Sequence, residues 1–310
     1  MDNGRRIRKY RMEQRIPKLI VCILAVISFL FGMGTYDILH FPQDTRSLSL
    51  HNAASAYDRT LLQNNPAALS LSAEKITYSY IILPAGIHSG EIQHVHKMVS
   101  GIRAGKLAYI TYGSIVDGET KEETSAYDIL LEIGYKKELN NIVSVGISGG
   151  YLFSSIADYH SQLLYTNIGI RSRTMRKRMG LGFSLENVGF LLKSYTDVKA
   201  SIPAIFRSAL YYRPKYLPAI FSVDIIRNLN RDSTELLGGL EFNIEKWLTF
   251  RLGCSSHRIG FLSGDFSSDF LADVSGGAGF QFNKINLDVG FMNLGASGYV
   301  VGFSISRLVD

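Results

Sequence analysis

The sequence predicts an all-β fold, a transmembrane antiparallel β-barrel of about fourteen strands with an N-terminal segment inside it. Three observations lead there. Period-two alternation of apolar with small or polar residues recurs in segment after segment from Lys75 onward. Many of these segments reach about ten residues or more, long against about 5–6 in soluble sheets. A basic and then apolar leader precedes them all.

The leader reads RKYRMEQRIPK followed by LIVCILAVISFLFGMG, sixteen mostly apolar residues from Leu19 to Gly34 behind a positive stretch. That run is short for a helical span of about 20 residues. Gly32-Met33-Gly34 supplies the small residues that a signal peptidase favours, so residues 1–34 read as a cleaved signal peptide, with an uncleaved anchor as the alternative. Cys22 follows Val21, not a small residue, which argues against a lipoprotein signal. The leader also explains the net charge of +6: it holds seven Lys/Arg and two acids, leaving 26 basic and 25 acidic residues elsewhere. The basic balance therefore does not point to nucleic acid. With only 19% charged residues but 29 Gly, 17 Tyr and 17 Phe, the composition suits strands and tight turns. Cys254 alone remains after the leader, so no internal disulfide framework is available.

Strands are expected near 75–83, 90–98, 103–116, 124–138, 141–157, 160–173, 178–193, 203–213, 218–228, 234–244, 247–261, 269–282, 284–293 and 298–307. The clearest is NIVSVGISGGYLFSS, where Val143, Val145, Ile147, Gly149, Tyr151 and Phe153 share one face. Ser144, Gly146, Ser148, Gly150, Leu152 and Ser154 share the other. MGLGFSLEN repeats this, with Met179, Leu181, Phe183 and Leu185 opposite Gly180, Gly182, Ser184 and Glu186. INLDVGFMN and GYVVGFSIS follow suit. Asn140-Asn141, Arg231-Asp232-Ser233, Asn283-Lys284 and Ala296-Ser297-Gly298 carry turn residues between strands.

In lipid no water pairs with backbone groups, so strands that cross a membrane must close into a ring. The apolar face then meets lipid and the Gly/Ser/Asn/Glu face lines the lumen. A soluble periplasmic β-sandwich also alternates; strand length and mostly short connections weigh against it. Tyr151, Phe153, Tyr165, Tyr211, Tyr212, Trp247 and Tyr299, near strand ends, suit interface girdles. Residues 35–74 are too polar to span lipid and too apolar for a free tail. A fourteen-strand lumen is wide enough to need filling or to carry water, and 35–74 reads as a plug that fills it, with 75–310 as the barrel of a bacterial outer-membrane protein.

Residues Thr45 to Leu71, TRSLSLHNAASAYDRTLLQNNPAALSL, resemble the N-terminal plug of FadL-like outer-membrane proteins, whose polar stretch ends in Asn-Pro-Ala, here Asn65-Pro66-Ala67. Nearly the whole mature chain is similar to the PorV/PorQ family, closer to PorQ. The residues that carry this are AYITYGSIVDGETKEETSAYDILLEIGYKKEL, GGYLFSSIADYHSQLLYTNIGI, and LENVGFLLKSYTD followed by SIPAIFRSALYYRP. The final strand departs by ending GFSISRLVD, without a terminal aromatic. The resemblance implies a FadL-type barrel in type IX secretion. Its implied partners are attachment-complex proteins and cargo carrying a C-terminal signal domain, with outer-membrane lipid around it. The alternative it leaves is a FadL-like transporter of hydrophobic small molecules. Pro66 removes a backbone donor and Asn65 favours a turn, so the motif is expected to end the plug and begin strand one at the wall.

No catalytic, metal or cofactor site is predicted. His94 and His96 share a strand face, but no third ligand is adjacent and His88 lies on a loop, so solvated histidines are expected. Asp158, His160 and Ser161 are close in sequence, yet Ser161 should face away from the other two. Asp265, Asp269 and Asp273 lack the glycine and terminal glutamate of a calcium loop and read as a solvated extracellular loop. RTMRKR, Arg173 to Arg178, reads as a hydrated turn or a contact for lipopolysaccharide phosphates.

Overall fold

The computed structural model describes residues 36–58, 62, 64–70, 74–116, 123–196, 202–231, 233–256 and 272–309. Among them fourteen strands form one closed antiparallel barrel in which every strand pairs with its sequence neighbours. They are β1 (Glu74–Ile82), β2 (His88–Met98), β3 (Gly101–Val116), β4 (Glu123–Glu138), β5 (Val143–Ile156), β6 (Tyr159–Arg173) and β7 (Met179–Lys193). Then come β8 (Ile205–Tyr212), β9 (Ala219–Asn228), β10 (Ser233–Glu245), β11 (Leu248–Ser255), β12 (Val274–Phe282), β13 (Ile285–Asn293) and β14 (Tyr299–Val309). The ring closes where β1 meets β14, with Tyr78 opposite Ile305 and Ile82 opposite Val301. Closure leaves no row of unpaired backbone groups facing lipid.

The alternation predicts the faces. Ile147, Leu181, Phe183, Val223 and Phe303 lie on the outer surface, while Ser148, Ser184, Ser222 and Ser304 are buried inside. No helix among the described residues is long and apolar enough to cross a membrane; the strands make the crossing.

Connections 99–100, 139–142, 174–178, 213–218, 246–247 and 283–284 lie at the end that holds Glu74 and Val309. The opposite end carries the longer ones, 194–204 and 256–273. Outer-membrane barrels have short periplasmic turns and longer extracellular loops, so the end with the chain termini is periplasmic. At the turn 139–142, the Asn140 carboxamide oxygen accepts from the N–H groups of Ile142 and Val143, both at 2.8 Å.

Two expected strands are shorter than predicted. The one expected over 247–261 ends at Ser255, and the one expected over 269–282 starts at Val274; residues 257–271 lie outside the described residues. β7 also breaks its alternation. The pairing with β6 shifts between Thr166 and Ile168, which makes Glu186 and Asn187 consecutive buried residues. Asn187 takes φ 58, and its N–H donates to the Asn167 carboxamide oxygen at 2.7 Å. This bulge re-aims the rest of the strand, so Val188 and Phe190 return to the outside.

Val223 lies at mid-strand on the outer face of β9. Val223→Arg should lower barrel stability by about 2–4 kcal/mol, the cost of an arginine near the bilayer midplane, read as the shift of urea unfolding in lipid vesicles.

Candidate functional site

Residues 36–58, 62 and 64–70 run through the lumen, and inward-facing groups of the wall fix this segment at several points. At the extracellular end the Tyr36 hydroxyl and Ser161 Oγ are 2.6 Å apart, and the Tyr36 ring stacks on Tyr195. Below it, α1 (Thr45–Ser49) is capped by Asp44, whose carboxylate accepts from the Ser47 N–H at 2.9 Å. The helix lies on β11 to β14. Thr45 N–H donates to Ser304 Oγ at 3.2 Å, and the Ser275 hydroxyl donates to the Ser49 carbonyl at 3.1 Å. Further on, both oxygens of Asp224 accept backbone N–H groups, from Ala54 at 3.0 Å and Ser55 at 3.2 Å.

Asn65-Pro66-Ala67 forms the lowest anchor. Asn65 caps the 3-10 turn Pro66–Ala68, its oxygen accepting from Ala67 N–H at 2.9 Å. Its amide donates to the Ile170 carbonyl at 3.3 Å, and the Ser144 hydroxyl donates to the Ala67 carbonyl at 3.0 Å. The motif therefore rests on β5 and β6, not beside β1. The chain reaches β1 only past Leu69, which packs with Leu62, Val95 and Ala104. Glycine permits this seat: a Cβ on Gly146 would overlap the backbone of Pro66 and Ala67, and one on Gly169 would overlap Asn65.

Buried charges surround the segment, and several meet opposite charges. Lys106 Nζ lies 2.9 Å from Glu132, which also accepts from Ser148, Tyr165 and Asn167. Arg207 bridges Glu186 at 2.9 Å and Asp224 at 3.3 Å. Arg251 bridges Glu241 at 2.9 Å and Asp288 at 2.5 Å, and Arg46 of α1 joins Glu241 at 2.9 Å. Near this layer burial, together with Arg207, pushes the His40 imidazole of the segment down to about 4, so it is neutral at pH 7.

Above the charges the lumen changes character. Ile81, Ile110, Leu130, Leu152, Leu163, Met292 and Val300 face inward and enclose Tyr36, Ile38 and Leu48. Leu39, Phe41, Tyr112, Leu191, Tyr195 and Ile202 extend this apolar layer to the mouth. Between the apolar and charged layers lies a cavity of about 20 Å³, lined by Ile38, Phe41, Lys106, Leu130, Glu132 and Asn187. It is large enough for a water and far too small for a solute.

The other sequence-selected groups do not assemble chemistry. His94 Nε2 and His96 Nδ1 both meet the Glu74 carboxylate, at 2.5 and 2.8 Å, a partner one strand away that local spacing does not reveal. His88 stacks on Tyr80 at the other end of the wall. Ser161 lies in the lumen, donating to the Lys193 carbonyl at 2.8 Å, whereas His160 contacts Phe153 on the outer face. Asp265 and Asp269 lie outside the described residues. Asp273 is not solvated as expected: it is buried, 3.2 Å from His51, with the Ser255 hydroxyl donating to it at 2.5 Å. Among the described residues no group of three or more His, Cys, Asp or Glu could hold a metal. The basic turn Arg173–Arg178 is periplasmic by the topology, away from the lipopolysaccharide leaflet, and Arg173 itself is buried beside Glu138.

Comparison with known proteins gives a fold. The chain matches no protein-family model and no curated protein sequence. It superposes on the toluene transporter TodX of P. putida with a TM-score of 0.59 at 10% identity, covering 87% of this chain and 99% of that one. For the Ralstonia pickettii toluene transporter TbuX the TM-score is 0.61 at 10% identity, covering 86% and 98%. For a Pseudomonas aeruginosa FadL homologue it is 0.50 at 12% identity, covering 86% and 98%. The chain thus has the fourteen-strand FadL-like fold, a barrel of the bacterial outer membrane with a lipid-facing exterior and an occupied lumen.

Asp224→Ala leaves two backbone donors without partners and Arg207 with one acid fewer. The docked segment should lose on the order of 3 kcal/mol. Trypsin should then cut at Arg46 in the variant and not in the parent, while heat-shifted gel mobility shows the barrel intact.

Proposed function

We propose that this barrel passes small hydrophobic molecules across the outer membrane. The observation that carries this reading is the apolar layer inside the extracellular mouth. A water-filled pore is lined by polar side chains, since lumen-facing positions of porins meet water. Here Ile81, Ile110, Leu130, Leu152, Leu163 and Val300 face inward around Tyr36 and Ile38, and the polar inward groups nearer the outside, Asp128, Ser154 and Ser161, are hydrogen-bonded to Tyr112, Tyr195 and Tyr36. That surface admits a hydrocarbon and disfavours a hydrated solute. TodX and TbuX, named as toluene transporters, support the same direction.

Passage requires the segment 36–41 to yield, because its side chains fill the apolar layer. The charged layer beneath holds the rest of the segment through paired hydrogen bonds, so the upper part can move while Asn65-Pro66-Ala67 stays seated. The secretion role implied by the PorV/PorQ resemblance gains no support from the channels reported above, and its protein partners serve as the alternative outcome of the test.

Cells producing the protein should take up a labelled monoaromatic hydrocarbon faster than cells with an empty vector, with uptake of a sugar unchanged. Ile110→Asp, which places a charge in the apolar layer, should reduce that uptake by roughly tenfold. Uptake equal to the vector control, with surface proteins sharing a C-terminal domain co-purifying in mild detergent, would overturn transport in favour of secretion.

A further inference from the structure

The outer wall carries a groove of about 620 Å³ across β4 to β8, open to the lipid side. It follows the ladder closely. One row of paired residues runs Arg103, Tyr135, Ile147, Ile168, Leu185, Phe206 from β3 to β8. The next row runs Lys137, Val145, Ile170, Phe183 from β4 to β7. Between the rows Gly146 pairs with Gly169, and these two glycines lie in the groove's lining. The groove is apolar along its length, and each row ends on a cation at the β3–β4 side.

The groove is also inclined. Phe206 is next to the extracellular start of β8, whereas Arg103 and Lys137 lie beside the periplasmic ends of β3 and β4. The Tyr135 hydroxyl donates to the Ser100 carbonyl of the periplasmic turn at 2.9 Å, which pins that end to the rim. Arg103 and Lys137 are both exposed, and neither forms an ion pair with a described residue. The nearby acid Glu138 is engaged by Lys136 and Arg173. Arg176, Lys177 and Arg178 on the turn 174–178 add to the positive charge of the same rim.

We propose that this groove binds an anionic phospholipid of the periplasmic leaflet, an acyl chain lying along the two apolar rows and the phosphate against Arg103 and Lys137. Chemistry at both ends supports this occupant. Burying an acyl chain against isoleucine, leucine and phenylalanine is favourable where the wall contacts it on several sides, and the two rows of side chains flank a floor of backbone at Gly146 and Gly169. Basic residues at the head-group level attract anionic lipid, and two that form no ion pair with a described residue offer a site for a phosphate. The proposal is independent of what crosses the lumen.

The mature barrel, isolated in detergent, is titrated with phosphatidylglycerol and with phosphatidylcholine of identical acyl chains, and retention is read by native mass spectrometry. The expected result is one phosphatidylglycerol held in preference to phosphatidylcholine. Arg103→Ala with Lys137→Ala should weaken that preference by roughly tenfold, and Ile168→Trp, which fills the groove, should reduce retention of both lipids. Heat-shifted gel mobility reports folding, and Lys137→Gln alone replaces the double variant if that variant does not fold. Equal retention of the two lipids by the parent protein, or a preference that survives the loss of both cations, overturns the proposal.

Discussion

Everything in this molecule follows from one constraint: a strand in hydrocarbon must have both edges paired. That requirement turns fourteen strands into a ring and joins Tyr78 of β1 to Ile305 of β14, residues far apart in sequence. A ring of this size then creates a second problem, because its interior is wider than side chains alone can fill. The chain solves it with its own N-terminal segment, and the remaining features of the lumen accommodate that segment.

Two devices hold it. Glycine on the inner face lets backbone lie against backbone: Gly146 under Pro66, Gly253 under Leu50 and Gly290 under Thr45 and Ser49. Buried charge gives register. Arg46 reaches Glu241 and Asp224 reaches the Ala54 and Ser55 amides, so a displaced segment strands charges that were paired. Desolvation offsets much of the attraction within a buried pair, but breaking such a pair costs about 3–5 kcal/mol. The network therefore specifies one position for the segment more than it adds to overall stability. The upper apolar layer lacks this grip. The side chains of Ile38, Leu39 and Phe41 meet the wall by apolar packing rather than by ion pairs.

The barrel was legible in the sequence because its signal is local. Period-two alternation assigned Ile147 to lipid and Ser148 to the lumen without any knowledge of neighbours. What stayed hidden depends on pairing between strands. Glu74 completes the His94–His96 group from an adjacent strand. Asp273 looks like a loop acid until His51, from the luminal segment, is placed beside it. The bulge at Glu186 and Asn187 had a weak local sign, an Asn-Val-Gly break in the alternation, but its consequence for β7 appears only in register with β6. The apolar layer was equally hidden. Leu152 and Leu163 each interrupt a polar face once, and only the closed ring shows that such interruptions lie at one depth.

Asn65-Pro66-Ala67 illustrates how local chemistry and global position separate. Proline and asparagine make the turn, and the turn forms as the residue types require, with Asn65 capping Pro66–Ala68. Its place against β5 and β6 is decided by the Gly146–Gly169 pair, residues that carry no side chain with which to signal a partner. A wall one strand thick makes those same glycines the luminal seat of the motif and the floor of the lipid-facing groove. A β-carbon at either position would press on the segment inside. The small-residue face of β5 is therefore better read as a shape requirement of the luminal segment than as a polar lining for water.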